Sequence, residues 1–171
     1  MRQVTCVEIN PDYVAVGRKL LPEATWICAD AFSDLSHLGR FDWVVANPPF
    51  GSIGGRGDFD LAIVERAADF ADDATFILPA MSVPFSFSGR QGYDNSRPSD
   101  KARKFRDRTG IDLQAGCGVD CDYYRNEWRG TAPAVEIALA DYAEARARLA
   151  PAPVASPIII PTQADLFSFA A

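Results

Sequence analysis

Three short apolar runs, at residues 4–9, 24–28 and 41–46, each give way to a polar residue at or just past their end: Glu8, Asp30 and Asn47. Helical signals fall between and after them. Asn10-Pro11 supplies an N-cap and a proline at the first helical position. Residues 11–21 then carry Tyr13, Val14, Leu20 and Leu21 before Pro22 stops the helix. Residues 61–71 put Leu61, Val64, Ala67 and Ala68 on one face, with Asp60 placed to cap them, and residues 74–78 form a fourth apolar run. The order is strand, helix, strand, short connection, strand, helix, strand. Such alternation predicts an α/β fold, a parallel sheet covered by helices. The near-continuous apolar strands suit a sheet buried on both faces.

The second half reads differently. Residues 81–100 are a long loop rich in Ser, Gly, Pro and Asn, a length that usually marks function or disorder. Residues 101–108 form a short basic helix. Residues 111–119 and 134–140 are two further strands, expected as an antiparallel hairpin at the sheet edge. Tyr123, Tyr124 and Trp128 lie between them; they could stack bases or pack under the hairpin. Beyond Leu149, Pro151, Pro153, Pro157 and Pro161 mark an extended tail. The chain therefore divides into a domain over residues 1–149 and a flexible tail over 150–171.

The net charge of −6 argues against a protein that coats nucleic acid nonspecifically, because such binding neutralises many phosphates. One local basic excess stands out: Arg90, Arg97, Lys101, Arg103, Lys104, Arg106 and Arg108 against Asp94, Asp100 and Asp107. It reads equally as a phosphate-tracking patch or as a solvated helix face. No apolar run reaches the roughly 18 residues of a membrane span, so no membrane partner is expected. Cys6 and Cys28 read as small core residues. Cys117 and Cys121 lack a second ligand pair, with His37 the sole histidine, so no metal is expected. A reduced, cytoplasmic protein fits this cysteine usage.

Asn47-Pro48-Pro49-Phe50, at the end of an apolar strand, carries the strongest chemical signal. Two prolines in succession continue neither strand nor helix and hold the backbone in a defined turn. A carbonyl in that turn faces outward, and the Asn47 side chain adds an adjacent oxygen. Two neighbouring acceptors match a planar exocyclic amine with two hydrogens to donate. Phe50 offers a flat face for a ring. Hydrogen bonds from the amine to Asn47 and to the Pro48 carbonyl would draw its lone pair out of the ring, toward a methyl donor. Catalysis would then rest on positioning and fixed dipoles.

This tetrapeptide after a strand resembles the catalytic motif of the N6-adenine methyltransferases. The resemblance covers roughly residues 3–141. It implies a Rossmann-like sheet, mostly parallel with a C-terminal antiparallel edge hairpin, and S-adenosylmethionine as cofactor. By this analogy Asn47, Pro48, Pro49 and Phe50 are catalytic. Glu8 with Ile9 would meet the cofactor ribose, Asp30 with Ala31 its adenine, and Asn47 would border the same site. Ligand placement at strand carboxyl ends is the rule for such sheets. The implied reaction is methylation of adenine N6 in DNA, with the base flipped from its stack. Within the same chemistry stand RNA adenine and protein glutamine; outside it stands a catalytically inactive module that binds nucleic acid or a sliding clamp.

The sequence departs from the family in one respect. Family members carry a strand and a glycine-rich turn about 20 residues ahead of the first acid, whereas seven residues precede Glu8. The domain is therefore expected to be N-terminally incomplete. Residues 112–118, with Gly116 and Gly118, superficially resemble that turn, but no helix follows, and a closing edge strand is expected instead. Residues 51–57, glycine-rich, read either as a lid over a flipped base or as a flexible loop. The tail ends Gln163-Ala164-Asp165-Leu166-Phe167, similar to the short peptide by which bacterial DNA enzymes bind the replication sliding clamp. The alternative is that Leu166, Phe167 and Phe169 fold back on the domain.

Overall fold

A computed structural model describes residues 3–50, 58–84, 99–123, 125–127 and 132–149. Strand β1 (Thr5–Glu8) leads through helix α1 (Pro11–Leu20) to β2 (Thr25–Cys28), and the two strands pair in parallel, Thr5 opposite Thr25 and Glu8 opposite Cys28. The local chemistry is as expected. The Asn10 side chain accepts the Asp12 N–H at 2.9 Å, Pro11 opens the helix, and Arg18 and Lys19 sit in its last turn against the macrodipole. Gly17 is required by close approach: a Cβ there would lie 2.2 Å from the Trp26 ring. The Trp26 indole N–H in turn donates to the Leu21 carbonyl at 3.1 Å, at the helix end.

Strand β3 (Val44–Ala46) pairs in parallel with β4 (Asp73–Pro79) through the crossover helix α2 (Phe59–Ala67). Helix α3 (Asp100–Thr109) follows, then β5 (Gln114–Val119), β6 (Val135–Asp141) and α4 (Tyr142–Leu149). Strand β6 runs antiparallel between β4 and β5, giving the order β3-β4-β6-β5 with the hairpin at the edge. The two glycines of β5 do belong to a closing edge strand. The register shifts between Ala115 and Cys117, and a Cβ on Gly116 would meet the Ile137 carbonyl at 2.9 Å. Only glycine allows the backbone approach at that bulge.

The buried core lies on one face of β4, an interior strand whose residues alternate between buried and half-buried, so the expected burial on both faces is not met there. Phe76 and Leu78 are fully buried with Val64 of α2, Phe105 of α3 and Ala138 of β6. Tyr142, at the start of α4, is also fully buried; its hydroxyl donates to the Val64 carbonyl at 2.6 Å and its N–H to the Asp72 carbonyl at 2.7 Å. Phe76→Ala would remove about 3–5 kcal/mol.

Four local expectations change. Helix α2 begins earlier than residue 61; Asp58 occupies its N-cap position, while Asp60 lies within the helix, fully buried. Helix α4 was not legible in the charged stretch after β6. Tyr13 and Leu20 of α1 are exposed and Val14 carries the buried contact. Cys28 is exposed, its thiol directed at the Ile9 carbonyl, and is not a core residue. No described strand joins β1 to β3, so the six strands form a pair and a foursome rather than one continuous sheet. Among the described residues no helix is long and apolar enough to cross a membrane.

Candidate active site

Glu8 and Asp30 stand together because β1 and β2 are paired in register to their ends. The Ala29 N–H donates to the Glu8 carbonyl at 3.1 Å, which carries the pairing one residue past the strands. Each acid uses one carboxylate oxygen to fix its own turn. Glu8 Oε1 accepts the Asn10 N–H at 2.7 Å, and Asp30 Oδ1 accepts the Phe32 N–H at 2.9 Å. The other oxygen of each has no partner among the described residues, so both can accept from hydroxyl or amino hydrogens. Ile9, beside Glu8, is exposed, and Ala31, beside Asp30, is half-buried.

Arg66 of α2 holds the turn after β2. Its guanidinium donates to the Ala31 carbonyl at 2.9 Å and to the Ser33 carbonyl at 2.8 Å, pairs with Asp69 at 2.5 Å, and lies 4.8 Å from the Phe70 ring centre. Phe32 meets Phe59 edge-on with ring centres 5.6 Å apart. These contacts tie the loop bearing Asp30 to the helix that follows the Asn47 loop. The sequence reading missed Arg66, since an arginine in the last turn of a helix looks like a dipole partner.

Asn47, Pro48, Pro49 and Phe50 stand at the carboxyl end of β3. Asn47 and Pro49 are exposed, Phe50 is half-buried and Pro48 is buried. The buried proline anchors the turn, and the asparagine before it faces solvent. Between β1 and β3 lies a cavity of about 560 Å³, bordered by Cys6 and Val7 on one side, Val45 and Ala46 on the other, and Ala31. Glu8, Asp30 and Asn47 are not among the residues that line this cavity, though the neighbours of each, Val7, Ala31 and Ala46, are. Burial pushes the Cys6 thiol up, so it stays a neutral lining group at ordinary pH.

A second group was hidden in the sequence. Asp60 is fully buried, and both its carboxylate oxygens lie 3.1 Å from the Lys101 ammonium. The Ser82 hydroxyl donates to Asp60 Oδ2 at 2.6 Å, and Lys101 donates to Ser82 Oγ at 3.1 Å. Ser99, the N-cap of α3, donates its hydroxyl to the Met81 carbonyl at 2.7 Å. Residues from α2, from the turn after β4 and from the start of α3 are therefore stapled at the carboxyl end of the sheet. Asp60 precedes Leu61, Val64 and Ala67 on the buried face of α2, and that pattern was the available signal.

Of the basic segment, Arg90 and Arg97 lie outside the described residues. On α3, Lys101 pairs with Asp60, Arg103 with Asp100 at 2.7 Å, and Arg108 with Glu65 at 2.8 Å. Residues 51–57, Tyr124, Trp128 and the segment Gln163-Ala164-Asp165-Leu166-Phe167 also lie outside the described residues. Among the described residues no group of three or more His, Cys, Asp or Glu could hold a metal ion.

No family model matches the chain, and no curated protein matches it. Solved structures do. The 1320 protein of Thermoplasma acidophilum is 21% identical, with a TM-score of 0.47; the match covers 82% of this chain and 66% of that one. A candidate RNA methyltransferase of Pyrococcus horikoshii is 18% identical with a TM-score of 0.51, over 81% of this chain and 63% of that one. The plantazolicin methyltransferase BpumL, solved with SAH and a substrate analogue, is 11% identical with a TM-score of 0.46, over 81% of this chain and 67% of that one. The Pyrococcus match carries the comparison, and at that identity it speaks for architecture. The α/β fold of this chain is similar to the fold of that structure. The chain spans 63% of the length of that protein.

Proposed function

We propose that this chain is the catalytic part of an S-adenosylmethionine-dependent methyltransferase that modifies N6 of adenine in nucleic acid. The observation that carries the reading is Asn47-Pro48-Pro49-Phe50 at the carboxyl end of β3, with Pro48 buried and Asn47 exposed. The residues present fit the nucleoside half of the cofactor. Glu8 and Asp30 top adjacent strands and each keeps one carboxylate oxygen clear of its own turn, which suits ribose hydroxyls and an adenine amine. When bound, S-adenosylmethionine supplies the methyl group.

The chain's own part is positional. The Asn47 side chain and the Pro48 carbonyl accept the two amine hydrogens, and Phe50 stacks the base. Holding the amine this way brings its lone pair into line without a covalent step. The amine nitrogen gains the methyl and releases one proton. DNA is the substrate favoured here. RNA is the second reading, supported by the name of the Pyrococcus horikoshii structure. The tail segment from Gln163 to Phe167 is proposed as a contact to a sliding clamp.

The test is methyl transfer to adenine-containing DNA and RNA strands, comparing the wild type with Asn47→Ala. Loss of at least about 100-fold with the fold intact supports the reading, in the range typical of a lost positioned donor or acceptor. Equal activity in the two proteins would overturn it. Preference for RNA over DNA would move the substrate to the second reading.

A further inference from the structure

The Asp30 carboxylate is oriented by the turn that follows it. Its Oδ1 accepts the Phe32 N–H at 2.9 Å. The Asp30 carbonyl accepts the Ser33 N–H at 3.0 Å and the Ser33 hydroxyl at 2.6 Å. Bonds this local fix the shape of a turn but leave its direction open. The pairing of β1 with β2 does not set that direction, because it stops at the Ala29 N–H. Among the described residues, every hydrogen bond of residues 31–33 goes either back to Asp30 or to Arg66.

The turn is aimed from α2, at two points. At the start of the helix, the Phe59 ring meets the Phe32 ring edge-on, with centres 5.6 Å apart. In the last turn of the helix, Arg66 donates to the Ala31 carbonyl at 2.9 Å and to the Ser33 carbonyl at 2.8 Å. One planar guanidinium therefore grips the backbone on both sides of Phe32. Positions 59 and 66 are two helical turns apart, about 10 Å along the axis, and share a face. The helix is the fixed body of the two. Val64 and Ala67 are buried in the core, and Asp60 is locked to Lys101 and Ser82. Burial does not hold the turn in place of α2, since Phe32 is 40% exposed and Asp30 is exposed.

We propose that Phe59 and Arg66 are positioning residues for the adenine of the cofactor. Through Phe32 and the carbonyls of Ala31 and Ser33, they hold the Asp30 carboxylate where it accepts the adenine amine. The inference rests on the proposed meeting of Asp30 with that adenine. It divides the labour in a way the chain order does not suggest. Phe59 follows the Asn47 loop along the sequence, which would give it to the target base, whereas its ring contact gives it to the cofactor. Both residues act through Asp30 and not on the methyl group. A carboxylate on an unanchored turn must be ordered when its ligand arrives, and that ordering weakens binding. Loss of either anchor therefore lowers affinity for the nucleoside and leaves the methyl-transfer step unchanged.

The test titrates the full 171-residue chain with adenosine, the part of the cofactor these residues meet, by nuclear magnetic resonance. Amide exchange at residues 31–33 is followed alongside. Phe59→Ala should weaken adenosine binding about three- to tenfold, the range of a lost aromatic pair. Arg66→Lys, a point charge that cannot grip two carbonyls, should weaken it about tenfold. Both should speed exchange at residues 31–33 while the β4 amides stay slow. Phe59→Tyr keeps the ring and should restore the wild-type affinity. Arg108→Ala removes a 2.8 Å tie from the same helix to Glu65 and should leave binding within about twofold. In methyl transfer, Phe59→Ala and Arg66→Lys should raise the KM for S-adenosylmethionine and leave kcat and the target-strand KM within about twofold. Adenosine binding that both variants keep overturns the inference alone. So does an equal loss in Arg108→Ala, which would mean general loosening of α2, or a rise confined to the target-strand KM. Absence of adenosine binding in the wild type overturns the reading of Asp30 itself, and this inference with it.

Discussion

Lys101→Met should destabilise the domain severely, and the reason lies in Asp60. That carboxylate is fully buried, held by Lys101 at 3.1 Å and by the Ser82 hydroxyl at 2.6 Å. Removing the ammonium leaves a buried charge with one neutral donor. Breaking a buried pair in this way costs about 3–5 kcal/mol. The lysine side chain is 27% exposed, so water can reach the gap it leaves, and the expected loss falls to about 2–4 kcal/mol. Urea unfolding measures it. With a slope of about 2 kcal/mol per molar, the midpoint should fall by about 1–2 M. Asp60→Asn combined with Lys101→Met removes both charges and should recover at least about half of the loss, since a neutral pair carries no desolvated charge. Because the pair also ties α2 to α3, activity should fall in the single variant at temperatures where it is still folded. The reasoning is refuted if Lys101→Met costs under about 0.5 kcal/mol, or if the double variant is as unstable as the sum of the singles.

Other outcomes follow from single groups. Tyr142→Phe loses the 2.6 Å bond to the Val64 carbonyl and should cost about 1–2 kcal/mol in the same assay, because that carbonyl is left unmet in the core. Burial pushes the Tyr142 hydroxyl far up, whereas the unfolded chain releases this proton near pH 10. Its contribution is therefore complete below about pH 10 and declines as pH rises above that value; a pH series should show a smaller alkaline decline in Tyr142→Phe than in the wild type. Arg66→Ala frees the turn after β2 from two carbonyl contacts and should speed amide exchange at residues 31–33 while leaving the β4 amides slow; equal exchange in both proteins would remove Arg66 as the anchor of the Asp30 loop.

The parts legible in the sequence are those set by local chemistry. Asn10-Pro11 announced α1, alternating apolar runs announced the parallel crossovers, and Asn47-Pro48-Pro49 could only be a turn beyond a strand. Capping, proline geometry and period-two or period-3.6 burial act within a few residues, so one chain displays them without its fold. The same locality hid other features. Asp60 looked like a cap because caps and buried acids use the same residue type, and only the arrival of Lys101, distant in sequence, distinguishes them. Tyr13 and Leu20 looked like core, yet burial depends on what packs over a helix. Glu8 and Asp30 could be placed at strand ends from spacing alone, while their adjacency rests on the register of β1 with β2. The order of strands in a sheet is decided by long-range pairing and crossover handedness, and only tertiary structure shows which two edges face each other without a strand between them.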